Sequence, residues 1–542
     1  MKKFPGEKML VKVEPLIISN DRKTFIKHGR QNKPAKVSRQ LYLQLCPIGV
    51  VDKETLKLVQ VLELHRAVDH TFSATGSAAL LRSLVQPGTD LQFIRSKQAS
   101  LSEIASDDTL RHLLQDYVHE FSKGESALYN FFNKGLRASF PYPAIKRARQ
   151  SALNMSRMIQ ALPRSESSYL GALISHLYAY KGSSIDQMMN GLIYKTFTGL
   201  KPENEVGFFT PKLRFRPRRF TEWLFAGPLV AAAPYLQDKI GPGLSISPLM
   251  LKIGLAWTGG YAFYSMFVKP VNDTEKFIEP LRKKCVYDNR FNQAVDAIGM
   301  IDELLSCHAF ARKSLHAAVM PRVADEPHHF FEATGLKNPV LAKENREFVP
   351  NNIQMNGSRL TFLSGPNSGG KTTICKSIVL SQLLAQAGFY VLAEKASINI
   401  ADKIHYQAPK FDSLQDEEGR FGTELSRTRD IFYSTTPKSL VILDELAEGT
   451  TYEERQNESF GILSDFCTIG NNTLLVTHNH SLVDRFIDDK TGQCLMAEFD
   501  EDMPTYRIIP GISRVSHADK VAKRINFSNK DRHRYMKEKG FL

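Results

Sequence analysis

The sequence predicts a multidomain protein whose first part is mainly α-helical and whose last part is an α/β domain with a phosphate-binding loop. Three observations carry this prediction. The chain has 542 residues, which is longer than a typical single domain. Over residues 61–205, apolar residues recur three and four positions apart, as on one face of a helix. Over residues 359–482, apolar strands, a glycine-rich turn and helical stretches follow one another, as in a parallel sheet.

The glycine-rich turn GPNSGGKTT has the spacing of a loop that binds the phosphates of a nucleotide. Its glycines let backbone N–H groups point at phosphate oxygens, and the following helix adds its positive end. Lys371 is predicted to reach the β- and γ-phosphates, and the Thr372 hydroxyl to bind Mg²⁺. The strand RLTFLSG before the loop, and the helical spacing up to Gly388 after it, supply the required context. The predicted nucleotide ligands in the loop are Gly365, Pro366, Asn367, Ser368, Gly369, Gly370, Lys371, Thr372 and Thr373.

Two further apolar strands end in residues that suit nucleotide hydrolysis. The run LVIL is followed by Asp444 and Glu445, and the run LLVT is followed by His478. A carboxylate at the C-terminal end of a parallel strand lies beside the phosphate loop. Asp444 is therefore predicted to bind Mg²⁺, and Glu445 to polarise an attacking water. His478 can hydrogen-bond the γ-phosphate or the water; His480 competes for this role unless it is an exposed loop histidine.

Together these segments resemble the ATPase domain of the MutS family of DNA mismatch-repair proteins, a branch of the ABC-type ATPases. FVPNN before the loop and PGISRVSHADKVAKRIN near the C-terminus are also similar to that family. The resemblance is strong over residues 335–528. It is weaker over 68–104 and 297–311, which are similar to a helical core with DNA-clasping levers. The implied fold is a mainly α-helical core and lever region followed by an α/β P-loop ATPase domain.

The resemblance implies a DNA-dependent ATP hydrolase with ATP and Mg²⁺ as cofactors. Thr372 and Asp444 would bind the metal, Glu445 would be the catalytic carboxylate, and His478 would be the switch histidine. Phe348 matches an aromatic residue that stacks on adenine; as a strand-edge core residue it would have no such role. The expected partners are ATP, double-stranded or structured DNA, and a second copy of the chain.

The segment 417–432 is where family ATPases reach into the site of the neighbouring subunit, so the resemblance implies a homodimer. The family usually reads Ser-Thr-Phe there, and its serine touches the partner's γ-phosphate. This chain reads Gly419-Arg420-Phe421, and Arg420 is either a cation near the γ-phosphate or a solvated loop residue. Glu448 also departs from the family, which has arginine at that position. Because of these departures, the sequence does not determine whether the ATPase sites of the two subunits are coupled.

The same comparison divides the chain into four parts. Long family members place a mismatch-reading domain and a connector before the core, which together need a few hundred residues. About sixty residues stand before the core here, so the expectation is a short form that lacks both. The predicted parts are a basic N-terminal extension (1–60), a helical core-like domain (61–334) with an apolar insert at about 220–268, the ATPase domain (335–528) and a basic C-terminal tail (529–542).

The apolar insert at about 220–268 leaves two interpretations open. Its second half has about twenty apolar residues and one lysine, which is near the length that spans a bilayer. Basic residues at both outer ends are typical of a helical hairpin with cytoplasmic ends. Lys252 and the prolines fit equally a hairpin that is buried in the protein. The chain is accordingly either a DNA-binding ATPase of mismatch repair or a related DNA transaction, or a membrane-associated ATPase that acts on nucleic acid without mismatch recognition.

Composition limits the partners and the compartment. The formal charge of +14 suits a polyanion such as nucleic acid or anionic lipid. Six cysteines are scattered without a C-x-x-C pair, which argues against a zinc site and for a reducing compartment. The first residues lack the apolar segment of a secretory signal. The expected location is the cytoplasm, either free or at the cytoplasmic face of a membrane.

Overall fold

The structure is a computed structural model that describes residues 49–133, 141–215, 252, 256–257, 259–261, 263–366, 369–409, 419–446, 452–500, 503–513 and 525–541. The chain divides into two compact units, and each unit is made of separated stretches of sequence. Among the described residues, the first unit comprises 71–78 and 107–302, and the second comprises 49–70, 79–106 and 303–541.

The described part of the chain up to residue 313 is mainly helical, as the apolar spacing predicts. Leu110, Leu114, Tyr117 and Phe121 follow one another at intervals of three and four residues, and all four are buried. The helices of this part are α1 (Lys53–Leu58), α2 (Val61–Val68), α3 (Ala74–Val85), α4 (Leu91–Ser106), α5 (Asp108–Asn133), α6 (Pro141–Met158), α7 (Ser168–Tyr180), α8 (Ser184–Asn190), α9 (Lys269–Asp273), α10 (Glu279–Tyr287) and α11 (Asn289–Lys313).

A small antiparallel sheet interrupts the helices, and the sequence pattern did not predict it. It contains β1 (Ile193–Thr196), β2 (Gly199–Pro202) and β3 (Leu213–Arg214) in the order β2-β1-β3. Thr196 pairs with Gly199 where β1 and β2 meet, so only two residues form the turn. Gly199 has φ +109°, a conformation that favours glycine. Strands of two to four residues are too short for the alternation of polar and apolar residues to be evident.

Most of the apolar insert predicted at 220–268 lies outside the described residues. At its described C-terminal end, residues Tyr264–Val268 form a π-helix. Within the described part of the chain, no helix combines the length and the apolar character that crossing a bilayer requires.

The described residues of the second unit form two sheets. The larger has six strands in the order β13-β12-β7-β11-β10-β9, all parallel except for the antiparallel pair β12–β13, and the smaller has the order β4-β8-β5-β6. Their strands are β4 (Arg322–Ala324), β5 (Phe331–Leu336), β6 (Asn351–Met355), β7 (Leu360–Ser364), β8 (Lys395–Asn399), β9 (Ile404–Gln407), β10 (Leu440–Asp444), β11 (Asn472–Val476), β12 (Gly492–Asp500) and β13 (Met503–Pro510). The helices of this part are α12 (Lys371–Gln386), α13 (Gly419–Ser434), α14 (Tyr452–Ile469), α15 (His480–Asp488) and α16 (Asn529–Glu538).

The predicted strand–loop–helix context of the glycine-rich turn is confirmed. Every residue of β7, β10 and β11 is buried, as expected of parallel strands covered on both faces. α12 begins at Lys371, directly after the turn, and Gly388 follows its end with φ +81°. This left-handed conformation is the usual role of a glycine just beyond a helix.

The predicted division into domains differs from the observed elements at two places. Residues 49–60, which belong to the predicted N-terminal extension, pack with the second unit: Val51 forms a β-bridge with Ile404, and Leu56 is fully buried. β5 spans the predicted boundary at 334/335 and pairs with β6 and β8, so its first residues share the sheet of the second unit. The predicted tail starts where α16 begins, and Ser528 caps this helix. Contacts between residues far apart in sequence cause both differences, and local sequence patterns do not show such contacts.

Candidate nucleotide-binding site

The predicted site residues gather where three neighbouring parallel strands end. β7, β11 and β10 lie side by side, and their carboxyl ends lead into the glycine-rich loop, His478 and Glu445. Backbone hydrogen bonds continue beyond the strands. The Glu445 N–H donates to the Val476 carbonyl at 3.0 Å, and the Thr477 N–H donates to the Leu363 carbonyl at 3.2 Å. These bonds hold the three strand ends in register, which is where α/β sheets bind ligands.

Three glycines shape the loop, each for a backbone reason. Gly365 has φ +126° and Gly370 has φ +83°, both in the left-handed region that favours glycine. At Gly369 a Cβ atom would lie 2.6 Å from the Cβ of Ala497 on β12, which is closer than real Cβ atoms approach. The loop can therefore lie directly against β12 only because it carries no side chain there.

Lys371 is buried at the start of α12 and turns back into the loop. Its Nζ donates to the Gly365 carbonyl at 2.5 Å. Burial lowers the pKa of Lys371, and the nearby carboxylates of Asp444 and Glu445 act in the opposite direction. A cation held inside a turn of backbone N–H groups is an arrangement suited to a bound phosphate.

Thr372 and Asp444 are brought together as the predicted metal ligands. The Thr372 Oγ1 donates to Asp444 Oδ2 at 3.0 Å, although 72 residues separate them in sequence. Mg²⁺ usually takes one or two protein oxygens together with substrate phosphates and waters. Within the described ranges, no group of three His, Cys, Asp or Glu side chains forms a complete metal cage. The adjacent Thr372 hydroxyl and Asp444 carboxylate are thus suited to bind a Mg²⁺ ion whose other ligands are nucleotide phosphates and waters.

Glu445 and His478 form the second pair beyond the strand ends. His478 Nε2 lies 3.8 Å from Glu445 Oε1, and the carboxylate is the less exposed of the two side chains at 19% against 45%. Glu445 has φ +69°, a conformation that costs energy for a residue with a Cβ and that occurs often in active sites. His480 differs from the exposed loop residue considered above, because it opens α15 and is half-buried.

Phe348 lies in the loop that precedes β6 and is half-buried, rather than at a strand edge. Among the described residues, no hydrogen bond or ring contact joins it to the glycine-rich loop. Three positions later, the Asn351 side chain donates to the Tyr506 carbonyl at 3.1 Å and accepts from the Ile508 N–H at 2.6 Å. The half-exposed Tyr506 has φ +60°, and its Cδ1 lies 3.6 Å from where a Cβ of Gly370 would be. The structure thus places Tyr506, which the sequence did not single out, beside the loop.

Tyr406 is the second residue that the sequence did not indicate. It lies on β9, and its hydroxyl donates to Asp444 Oδ2 at 3.2 Å. Nothing in the sequence around Tyr406 marks it, because it is related to Asp444 only through the pairing of β9 with β10. Its contact with the predicted metal ligand makes it part of the site.

Several predicted features lie outside the described residues. Asn367, Ser368 and Glu448 are among them. The backbone of Gly419 and Arg420 is described, but their side chains are not; α13 begins at Gly419, so the departure from the family pattern stands at the start of a helix.

Comparison with known proteins places the similarity in this part of the chain. Residues 361–530 match the model of the family described as MutS domain V. "Endonuclease MutS2" of Streptococcus suis is 31% identical over 237 residues, which cover 43% of this chain and 29% of that protein. "DNA mismatch repair protein MSH6" of Arabidopsis thaliana is 32% identical over 260 residues, 44% of this chain and 20% of that protein. "DNA mismatch repair protein MutS" of Haloquadratum walsbyi is 33% identical over 195 residues, 36% of this chain and 20% of that protein. The chain thus spans less than a third of the length of each of these relatives.

Proposed function

The chain belongs to the MutS family through its C-terminal part, and from this premise we propose that it is a DNA-dependent ATPase of mismatch repair or a related DNA transaction. One observation supports the ATPase assignment above the others. The Thr372 hydroxyl and the Asp444 carboxylate meet at 3.0 Å beside the loop that contains the buried Lys371. These groups are what a site for magnesium and a triphosphate requires.

The proposed chemistry divides among the site residues. Backbone N–H groups of residues 365–373 bind the triphosphate, and Lys371 leaves the Gly365 carbonyl for the β- and γ-phosphates. Thr372 and Asp444 would hold Mg²⁺, which neutralises charge on the phosphates when bound. Glu445 orients the attacking water and accepts its proton.

Three side chains complete the proposed site. His478 lies close enough to Glu445 to hydrogen-bond the γ-phosphate or the same water. Phe348 stacks on the adenine, as the family resemblance implies, and the exposed ring of Tyr506 beside the loop provides a second aromatic surface.

DNA is the proposed polyanionic partner, and the ATPase rate tests this directly. We expect duplex DNA to raise the rate of ATP hydrolysis above the rate without DNA. Because neutralised phosphates release counterions, DNA affinity should fall steeply as the salt concentration rises. Homoduplex, mismatched and branched DNA are compared: a higher rate with the mismatch favours mismatch repair, and equal rates favour a related transaction. A rate that no DNA changes would contradict the DNA-dependent assignment.

A homodimer is the proposed assembly, in which the start of α13 reaches the partner's γ-phosphate. Binding of ATP should then favour the dimer, because the nucleotide is shared between subunits. Sedimentation of the Glu445→Ala protein with and without Mg-ATP measures this. A protein that stays monomeric at micromolar concentration in both conditions would rule out a shared site.

A further inference from the structure

We propose that Tyr406 is a positioning residue for the metal-binding carboxylate of Asp444. The inference rests on the proposed function, because it assigns a role within the same Mg-ATP site. Tyr406 is fully buried on β9, and Asp444 is buried at the end of β10. The phenol donates to Asp444 Oδ2 at 3.2 Å.

The two donors to Asp444 bind the same oxygen of its carboxylate. Thr372 Oγ1 and the Tyr406 hydroxyl both donate to Oδ2, and among the described residues every hydrogen bond to this side chain goes to that oxygen. Two donors from different elements fix the rotation of the carboxylate. The other oxygen, Oδ1, keeps its lone pairs for a metal. Hydrogen bonds to a ligating carboxylate are a known determinant of metal affinity.

Strand pairing explains why a tyrosine is needed at this position. β9 runs parallel to β10, and Tyr406 is paired with Ile442. Asp444 is two residues further along β10, so its side chain lies on the same face of the sheet as that of Ile442. Tyr406 and Asp444 are therefore diagonal neighbours on adjacent strands. Such neighbours lie about 7–8 Å apart, a distance that a long aromatic side chain can bridge. A short hydroxyl residue on β9 would not reach the carboxylate.

Contacts with residues 52–55 and with α13 hold β9 in place. The Tyr406 N–H donates to Thr55 Oγ1 at 2.9 Å, and that hydroxyl donates to Asp52 Oδ2 at 2.8 Å. The neighbouring His405 has its Nδ1 3.0 Å from the same Asp52 oxygen and its Nε2 2.9 Å from Ser434 Oγ on α13. β9 is an edge strand of the sheet, and these bonds limit its movement.

The phenol acts on Asp444 as a hydrogen-bond donor. A carboxylate oxygen only accepts, so the hydroxyl supplies the hydrogen of the bond between Tyr406 and Asp444 Oδ2. An ordinary phenol keeps its proton up to about pH 10 and is therefore neutral at physiological pH. Its effect is on the carboxylate alone, so the loss of this hydroxyl should weaken metal binding and leave metal-free nucleotide binding intact.

The test measures metal binding separately from hydrolysis. Tyr406→Phe removes the hydroxyl and keeps the ring. Mn²⁺ serves as the probe, and its affinity for the ATP-loaded protein is followed by electron paramagnetic resonance. We expect the Mn²⁺ affinity to fall about tenfold or more, as for other residues that support metal ligands. ATP affinity in EDTA should stay within about twofold of the parent value, which a general structural defect would not allow.

Tyr390→Phe is the matched control. Tyr390 is a partly buried tyrosine that follows the far end of α12, whose 16 residues span about 24 Å from the loop. We expect neither affinity to change in this variant.

The outcomes separate the inference from the function on which it rests. Equal Mn²⁺ affinities in Tyr406→Phe and the parent would overturn the inference and leave the ATPase assignment standing. Failure of the parent to bind Mn²⁺ with ATP would overturn the proposed function itself. A parallel loss of metal-free ATP binding in Tyr406→Phe would show a structural role instead. If Tyr406→Phe does not fold, Tyr406→Met removes the same donor and gives the same readout.

Discussion

At Gly369, the close approach of the glycine-rich loop to β12 leaves no room for a side chain. A Cβ there would lie 2.6 Å from the Cβ of Ala497 and 3.1 Å from the Phe499 ring. Gly369→Ala must therefore displace the loop, at a cost of about 1–3 kcal/mol. If the displaced loop binds phosphates less well by that amount, ATP affinity falls about 5- to 150-fold. Titration with a fluorescent ATP analogue measures the change.

Gly461→Ala is the control for this substitution. Gly461 lies within α14, and a Cβ there meets no atom within 4 Å. Alanine in a helix interior should stabilise the protein by about 0.5–1 kcal/mol and leave ATP affinity unchanged. Parent-like ATP binding by Gly369→Ala would mean that the close packing against β12 does not determine the shape of the loop.

The site residues differ in how far the sequence could predict them. Lys371, Thr372 and Asp444 were predictable, because the glycine spacing and the apolar runs before and after it are local signals. The structure brings these residues together as expected. Tyr406 was not predictable, since it reaches the site through the pairing of β9 with β10. Tyr506 was not predictable either, since its carbonyl is held by Asn351, which lies 155 positions earlier in the sequence. Neither has a neighbour in sequence that marks it.

Helix α3 begins against two buried carboxylates. Asp302 accepts hydrogen bonds from the Ser73 N–H at 2.8 Å and the Ser73 Oγ at 2.6 Å. Glu125 accepts from the Ala74 N–H at 2.9 Å and the Thr75 N–H at 2.7 Å. The first N–H groups of a helix have no partner within the helix, so these side chains supply their acceptors. The two carboxylates thus connect the start of α3 to α5 and α11 within the first unit.

This arrangement makes stability depend on pH. Burial raises the pKa of Asp302 to about 7, although hydrogen bonds from Ser73 oppose the shift. Asp302 in the unfolded chain loses its proton near pH 4, while the folded protein keeps it up to about pH 7. Unfolding therefore releases a proton from Asp302 in this window, and the contribution of Asp302 to the free energy of unfolding should fall by about 1.4 kcal/mol per unit of rising pH. Denaturant titrations at pH 5, 6, 7 and 8 measure the slope.

Asp302→Asn isolates the contribution of this carboxyl. Burial lowers the pKa of His329 to about 4, which gives stability the opposite dependence on pH between about 4 and 6.5. His329 is present in both proteins, so its contribution cancels in the difference. We expect the difference between parent and variant to change between pH 5 and 7 and to be flat above that range. An identical pH dependence in the two proteins would show that Asp302 is ionised throughout.

The elements were predictable where one periodicity extends over many residues. The helices of residues 61–205 and the strands β7, β10 and β11 follow from stripes or continuous runs of apolar residues. The hairpin of β12 and β13 was missed: its register shifts between Ala497 and Phe499, which breaks the alternation that identifies a strand. The smaller sheet was divided wrongly between two predicted domains, because β5 pairs with strands that follow it by 15 residues or more.

In the whole molecule, the proposed nucleotide site belongs to the second unit. The described loop residues, both carboxylates and His478 all lie in it. The segment that matches MutS domain V, residues 361–530, falls within the range of the same unit. The family resemblance assigns the clasping of DNA to the predicted helical core-like domain, residues 61–334, and the described residues between 107 and 302 of that domain belong to the first unit.

The measurement that tests this account most directly is the fate of radiolabelled ATP mixed with the parent, Glu445→Ala and Lys371→Ala. The lysine contacts phosphate before reaction, whereas the carboxylate acts on the water during it. We expect the parent to bind ATP and release phosphate. Glu445→Ala should bind ATP as the parent does and release phosphate at least about 100-fold more slowly. Lys371→Ala should retain little ATP. Hydrolysis by Glu445→Ala at the parent rate would contradict the assignment of the catalytic carboxylate and, with it, the proposed site.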